Sequence, residues 1–349
     1  MDVLVIGGTG PSGTPLVQEL LNRGYRVTIY HSGAHEAEWA DKVEHIHGDT
    51  WGEGPMRNLA KRQWDMAINT YGRSEDIVSA LKGGKIGKLV SVTGHGVYKN
   101  IHCKWPHELG LPIPIRESMP VKDAADEPRF YKIAQGERAI MQARDEGHFK
   151  ACIFRYPRVY GPHINPALAF DWYWIKRIMD GRRRVLLPGY GLSAPQRGFG
   201  PNFAHMLLLG LESEKSDGQI YNACDSVVLT LSMITTLFAE ALGHEWELIP
   251  VPFAIAPMGN PYAFYSHTLL DTSKARYELG YHDVVHPIEA TKIGARWHME
   301  RPLNDEEQRA NTLYEINAFD YDKEDEIIDK YQSFVQQFPP PEVRTRGGW

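Results

Sequence analysis

The sequence predicts an α/β protein built on a doubly wound, mostly parallel sheet. Three observations carry this reading: short apolar runs alternate with stretches of helical spacing, the first run passes straight into a glycine cluster, and that cluster opens straight into a helix. Residues 3–6 (Val-Leu-Val-Ile) are unbroken and apolar, as in a strand buried on both faces. Gly7-Gly8-Thr9-Gly10-Pro11-Ser12-Gly13 follows, and then Leu16, Val17, Leu20 and Leu21 recur at helical spacing. Gly24 stands where a helix C-terminal glycine belongs, and residues 25–30 resume a strand, which completes a βαβ unit. The alternation continues through strands at 43–47, 66–69 and 88–93. Residues 101–128, rich in proline and charge, read as a long loop at the carboxyl edge of the sheet. A helix over 130–147, a strand over 151–155 and a turn-rich stretch over 156–162 come next. The predicted organisation is a dinucleotide-binding region over 1–162, to which later segments return, a substrate-side lobe over 163–303, and a charged extension over 304–349 made of a surface helix and a tail.

Composition narrows the function. At 349 residues with 42% apolar and 23% charged residues the chain is ordinary globular protein, long enough to bury roughly 75% of its unfolded surface. Lys+Arg 38 against Asp+Glu 44 leaves a net charge of −6. That mild acidity gives no polycationic face to track a phosphate backbone, so nucleic acid is not an expected partner. The N-terminal residues turn glycine-rich before a signal-peptide core can form, and apolar runs such as 206–209 are too short to cross a bilayer, so no membrane partner is expected and the cytoplasm is the expected compartment. Cys103, Cys152 and Cys224, odd in number and far apart, fit a reducing compartment better than a disulfide framework.

Gly7-x-x-Gly10-x-x-Gly13, lying between a strand and a helix, is a dinucleotide-binding pattern, because backbone N–H groups and the positive helix end attract a pyrophosphate. In this Rossmann arrangement Gly7, Thr9, Gly10, Pro11, Ser12 and Gly13 are the expected phosphate-side contacts. The spacing resembles the extended short-chain dehydrogenase/reductase family of NAD-dependent epimerases and dehydratases. Gly48-Asp49 is similar to the family's Gly-Asp, which implies that Asp49 receives the adenine amino group. Asn69-Thr70-Tyr71-Gly72 lies where the family's fourth strand passes the adenosine ribose. Arg155-Tyr156-Pro157-Arg158-Val159-Tyr160-Gly161-Pro162 resembles the stretch that carries Pro157, Val159 and Tyr160 past the nicotinamide. Gln219-Ile220-Tyr221-Asn222, Asp271-Thr272-Ser273-Lys274-Ala275 and Leu279-Gly280-Tyr281 resemble later landmarks, so the likeness covers roughly residues 1–300. In detail it is most similar to an atypical branch that includes the chloroplast stem-loop-binding proteins. The family's habit implies a homodimer formed through a helix pair.

Departures from the family pattern bear on chemistry. Its usual members carry Tyr-x-x-x-Lys on the helix after the fifth strand, where one turn sets phenol and ammonium side by side. Matching the family's trailing Gly-Glu to Gly136-Glu137 puts Arg129 at the Tyr position and Ile133 at the Lys position. A register starting at Tyr131 puts Gln135 where Lys belongs and leaves Lys132 about 100° around the helix. The usual hydroxyl position falls on Gly94, between Thr93 and His95. A different proton donor is therefore expected among Tyr131, Lys132, Thr93 and His95, with Tyr131 the first choice.

The second strand ends Tyr30-His31-Ser32-Gly33, with no carboxylate to exclude a 2′-phosphate and with His31 and Ser32 as hydrogen-bond donors, so NADP(H) is preferred and NAD(H) is the alternative. Although His31, His35, His45, His47, His102 and His107 are numerous, none shows a ligand spacing on one helix face, and no metal is expected. Arg182-Arg183-Arg184 reads as a solvated helix end, and Trp172-Tyr173-Trp174 as core. Pro195 stands where family members that bind nucleotide-diphosphate sugars carry an Arg, Arg197 is the available substitute, and residues 259–270 hold no Arg or Lys but do hold Tyr262, Phe264, Tyr265 and His267. The expected function is hydride transfer between NAD(P) and a carbonyl or alcohol of a small molecule that is not a nucleotide sugar. The competing reading is a cofactor-binding sensor or RNA-associated protein without redox turnover.

Overall fold

Every strand of the main sheet runs parallel to its neighbours. The computed structural model describes residues 1–49, 56–70, 73–101, 110–255, 260, 262 and 267–338. The strands are β1 (Asp2–Ile6), β2 (Arg26–His31), β3 (Glu44–His47), β4 (Gln63–Asn69), β5 (Lys85–Gly94), β6 (Lys150–Tyr156), β7 (Arg158–Tyr160), β8 (Arg184–Pro188), β9 (Arg197–Phe199), β10 (Gln219–Asn222) and β11 (Glu247–Val251). The helices that matter below are α1 (Gly13–Asn22), α2 (Ser74–Leu81), α3 (Pro128–Asp145), α4 (Trp172–Met179), α5 (Gly200–Glu212), α6 (Leu231–Leu242), α7 (Ser273–Leu279), α8 (Pro287–Glu300), α9 (Asp305–Ala310), α10 (Thr312–Glu315) and α11 (Tyr321–Val335).

The sheet order is β10-β6-β5-β4-β1-β2-β3, which reverses direction between β1 and β4 and so opens a crevice at the carboxyl ends of those strands. Period-two alternation divides the core. Val3 and Val5 of β1 face α1 and α5 with Leu16, Leu20, Phe203 and Leu207, whereas Leu4 and Ile6 face α2 and α3 with Ile77, Leu81 and Ile140. α5 is fastened from beneath, because buried Lys88 of β5 donates its Nζ to the carbonyls of Gly210 (2.7 Å), Leu211 (3.1 Å) and Ser213 (2.7 Å). A cation at a helix C-terminus satisfies orphan carbonyls and the helix dipole together.

Two small parallel pairs, β8 with β11 and β7 with β9, belong to the other lobe. Trp172, Tyr173 and Trp174 are buried there as expected, with Trp174 stacked between Phe238 and Tyr262. The arginine run behaves in part otherwise than expected. Arg182 forms a forked pair with Asp325 at 2.6 and 2.7 Å and Arg184 reaches both Asp325 and Asp329, so these two hold α11 against β8, while Arg183 stays exposed as expected. Acidic residues spaced along α11 attract these two, a pairing across more than 140 residues that no local pattern encodes. Among the described residues no helix is long and apolar enough to cross a membrane.

Candidate active site

The turn from β1 into α1 is built for close approach. Gly7 and Gly8 adopt φ of 91° and 100°, and a Cβ on Gly13 would lie 2.6 Å from the Gly8 backbone. Thr70, just past β4, clamps the turn: its Oγ1 donates to the Ile6 carbonyl (3.0 Å) and accepts from the Gly8 N–H (3.2 Å). The first turn of α1 carries no acidic residue and its Ser12 makes no capping hydrogen bond, so the positive helix end and its N–H groups face the crevice. Thr9, Gly10 and Pro11 are half-buried along this rim, with Ser12 buried beneath. Tyr156, whose sequence context marks it only as part of a longer stretch, is set beneath the turn. Its ring packs 3.8 Å from that of Phe203, its hydroxyl faces Ser12, and burial holds its phenol well above the usual range, hence neutral.

Past β3, Asp49 is exposed and its carbonyl accepts from the Tyr30 hydroxyl at 3.0 Å. Asn69 is buried and donates to Ser91 Oγ at 2.9 Å, tying the ends of β4 and β5 together. Tyr71 lies outside the described residues, as do His102, Cys103, His107, Phe264 and Tyr265. Ser32 is exposed, but His31 is only 4% exposed and its Nε2 lies 2.9 Å from His45 Nδ1. Burial lowers the His31 pKa from its usual value.

At the end of β5, Gly94 and Ile133 face each other: a Cβ on Gly94 would meet the Ile133 side chain at 3.4 Å. Tyr131 and Ile133 both pack against the apolar cluster of Val97, Tyr98 and Ile115, and the Arg138 guanidinium lies 5.3 Å from the Tyr131 ring centre. Lys132 is exposed beside it. Thr93 donates to Glu137 Oε1 at 2.8 Å. The same carboxylate takes Nε and Nη2 of Arg155 at 2.9 and 2.7 Å, in a pair only 6% and 3% exposed, and Arg155 also reaches the Glu117 carbonyl and covers the Tyr98 ring. This knot joins β5, α3 and β6. His95 follows Gly94 directly, and its Nδ1 must donate to the Tyr156 carbonyl at 3.1 Å, since a carbonyl only accepts. His95 thus stands directly after β5 and Thr93 is tied to Glu137, while Tyr131 packs on the apolar cluster with Lys132 exposed next to it.

Past β6, Pro157 is buried and Val159 packs against the core side of α1 and α5. Tyr160 is 2% exposed and donates its hydroxyl to Asp225 at 2.8 Å, so its polar end is occupied within the fold. Asp225 also accepts from the Phe199 N–H and Asn202 Nδ2, and burial pushes its carboxyl up to about 6. Arg197 is buried close by. It is 5% exposed, donates to Thr291 at 2.8 Å, lies 3.6 Å from Asp171, and covers the Tyr160 ring. Tyr262 donates to Asp171 at 3.0 Å inside the lobe core, and His267 Nδ1 accepts from the Ala194 N–H at 3.1 Å.

No protein-family model and no curated protein matches the chain. Solved structures do. The UDP-glucose 4-epimerase of Thermotoga maritima with UDP-glucose is 17% identical, covers 86% of this chain and 99% of its own, and superposes with a TM-score of 0.70. The UDP-glucose 4-epimerase of Thermus thermophilus with NAD is 20% identical over 87% of this chain and 100% of its own, with a TM-score of 0.68. The dTDP-glucose 4,6-dehydratase DesIV of Streptomyces venezuelae with NAD is 20% identical over 86% and 98%, with a TM-score of 0.67. At such identities the likeness is one of fold, a parallel sheet flanked by helices.

Proposed function

We propose that this chain is an oxidoreductase of the extended short-chain dehydrogenase/reductase type, moving hydride between a nicotinamide dinucleotide and the carbonyl or alcohol of a small molecule. The observation that carries the reading is the open glycine turn at the switch point of the sheet, with no acid in the first turn of α1 and with His95 at the end of the neighbouring β5. In the reducing direction the nicotinamide's hydride goes to the carbonyl carbon, and the oxygen, left as an alkoxide, takes a proton. Imidazole exchanges protons near neutral pH. With Nδ1–H committed to Tyr156, the proton delivered is the one on Nε2 of His95, and the ring regains it from solvent. Thr93, committed to Glu137, acts by holding the end of β5 in place.

The test is nicotinamide absorbance during incubation with a panel of ketones, aldehydes and alcohols. Turnover is expected. His95→Asn should lower kcat by at least ~10²-fold with cofactor affinity nearly unchanged, whereas Tyr131→Phe should leave the rate within about threefold. The opposite result would return the role to Tyr131. The sensor reading draws on Ile133 facing Gly94, and tight cofactor binding with no turnover across the panel would establish it in place of the enzyme.

The substrate proposed is not a nucleotide-diphosphate sugar, because residues 259–270 hold no Arg or Lys and Arg197 is buried beside Asp171 and Thr291. The cofactor proposed is NADP(H) over NAD(H), from the absence of a carboxylate in residues 30–33 and the exposed Ser32 hydroxyl. Calorimetric titration should give tighter binding of NADP(H), and tenfold tighter binding of NAD(H) would overturn it.

A further inference from the structure

We propose that His31, His45 and His47 form a binding site for one first-row divalent cation of the zinc type at the adenosine end of the sheet. The sheet itself assembles the three imidazoles. β2 and β3 are paired in parallel with His31 opposite His47 and Ile29 opposite His45, so period-two geometry puts all three side chains on one face. One ring nitrogen from each lies within 4.8 Å of the others, and the ring centres are 4.9 to 5.7 Å apart.

The hydrogen-bond pattern fixes how the ligands point. His45 Nε2 lies 2.7 Å from the Ala40 carbonyl, which only accepts, so that nitrogen carries hydrogen and the Nδ1 lone pair is left facing His31 Nε2 at 2.9 Å. An imidazole whose outer N–H is held by a backbone carbonyl is the arrangement that orients metal-bound histidines. In the ion-free state a proton bridges His31 and His45. A cation takes the place of that proton while His31 shifts its hydrogen from Nε2 to Nδ1, a tautomer change that leaves both rings neutral. Ligand bonds of ~2.0–2.1 Å at tetrahedral angles put nitrogens roughly 3.3 Å apart, so the His31–His45 pair opens by a few tenths of an ångström and His47 closes inward.

The surroundings suit an ion. Gly33 lets the third ring approach, since a Cβ there would lie 2.8 Å from His47 Nδ1. Glu36 places a carboxylate oxygen 3.8 Å from His45 Nδ1, a negative charge at the centre and a candidate fourth ligand. Burial is graded from buried His31 through half-buried His45 to exposed His47, which gives the ion a path in from solvent. Imidazole donors select zinc, cobalt or nickel over magnesium or calcium.

The experiment uses the full chain without a histidine tag, stripped with chelator and free of dinucleotide, so its outcome is independent of the proposed activity. Titration with Co²⁺, followed by visible absorption, and with Zn²⁺, followed by calorimetry, is expected to show one ion per chain at low micromolar affinity or tighter, and no response to Mg²⁺. His47 is exposed, so His47→Ala should fold as the parent does and bind at least roughly tenfold more weakly. His35→Ala removes a nearby exposed imidazole outside the cluster and should bind like the parent. Binding that is absent, or unchanged in His47→Ala, or lost equally in His35→Ala would overturn the site.

Discussion

Glu137→Leu is expected to destabilise the protein by about 3–5 kcal/mol, the range found when one partner of a buried ion pair is removed and the other charge is left in the interior. Glu137 holds Arg155 through two hydrogen bonds and Thr93 through a third, and both charged side chains are nearly inaccessible to water. Without the carboxylate, Arg155 keeps only the Glu117 carbonyl and the face of Tyr98. The double variant Glu137→Leu/Arg155→Met removes both charges and fills the space with apolar atoms, so it should recover most of the loss. Urea denaturation of the parent, both single variants and the double variant measures the coupling. Strictly additive losses would mean that the two residues act independently. Because the knot also sets the ends of β5 and β6, the single variant should weaken whatever binds at the crevice even where it remains folded.

Gly10→Ala should leave the melting temperature of the ligand-free protein unchanged and lower dinucleotide affinity on the order of 100-fold, about 2.7 kcal/mol. The contrast with Gly13 explains the choice. A Cβ on Gly13 would collide with the backbone of Gly8, so that substitution disturbs the turn itself, whereas a Cβ on Gly10 meets nothing within 4 Å. The space before Gly10 is where a diphosphate must approach the backbone. Melting curves and calorimetry on the same preparation separate fold from ligand. Parent-like affinity in Gly10→Ala would place the dinucleotide elsewhere.

The parts of this molecule that are legible in its sequence are those set by neighbours along the chain. The apolar run before Gly7, the glycine spacing and the helical spacing after Gly13 define β1, its turn and α1, and all three lie where expected. Counting along α3 offers two registers, one ending on Ile133 and one on Gln135, and it is the packing that sets Ile133 against Gly94. What counting does not supply is the phase of a helix against its sheet. α3 carries polar side chains on several faces, so its sequence does not reveal that Tyr131 turns toward Val97 and Tyr98 while Glu137 turns inward to Arg155. Register between strands is equally hidden. His45 and His47 share a face by local alternation, but only the pairing of β2 with β3 brings His31 beside them. Arg197 has the type and spacing of a ligand-binding side chain, and its fate is decided by Asp171 and Thr291, which are remote in sequence.

The place of β10 at the edge of the main sheet dictates an order of events during synthesis. β6 ends at Tyr156, but the strand that covers its edge ends at Asn222, and α5, whose Phe203, Met206 and Leu207 roof one face, lies in between. Roughly 65 residues must still be translated after β6, which takes roughly 3–13 s at ~5–20 residues per second. Throughout that interval the growing chain presents an unpaired strand edge beside an uncovered apolar face, and Lys88 has no helix end to cap. The nascent protein is therefore most exposed to edge-to-edge association during the interval after β6 has been made and before α5 and β10 arrive to close the sheet.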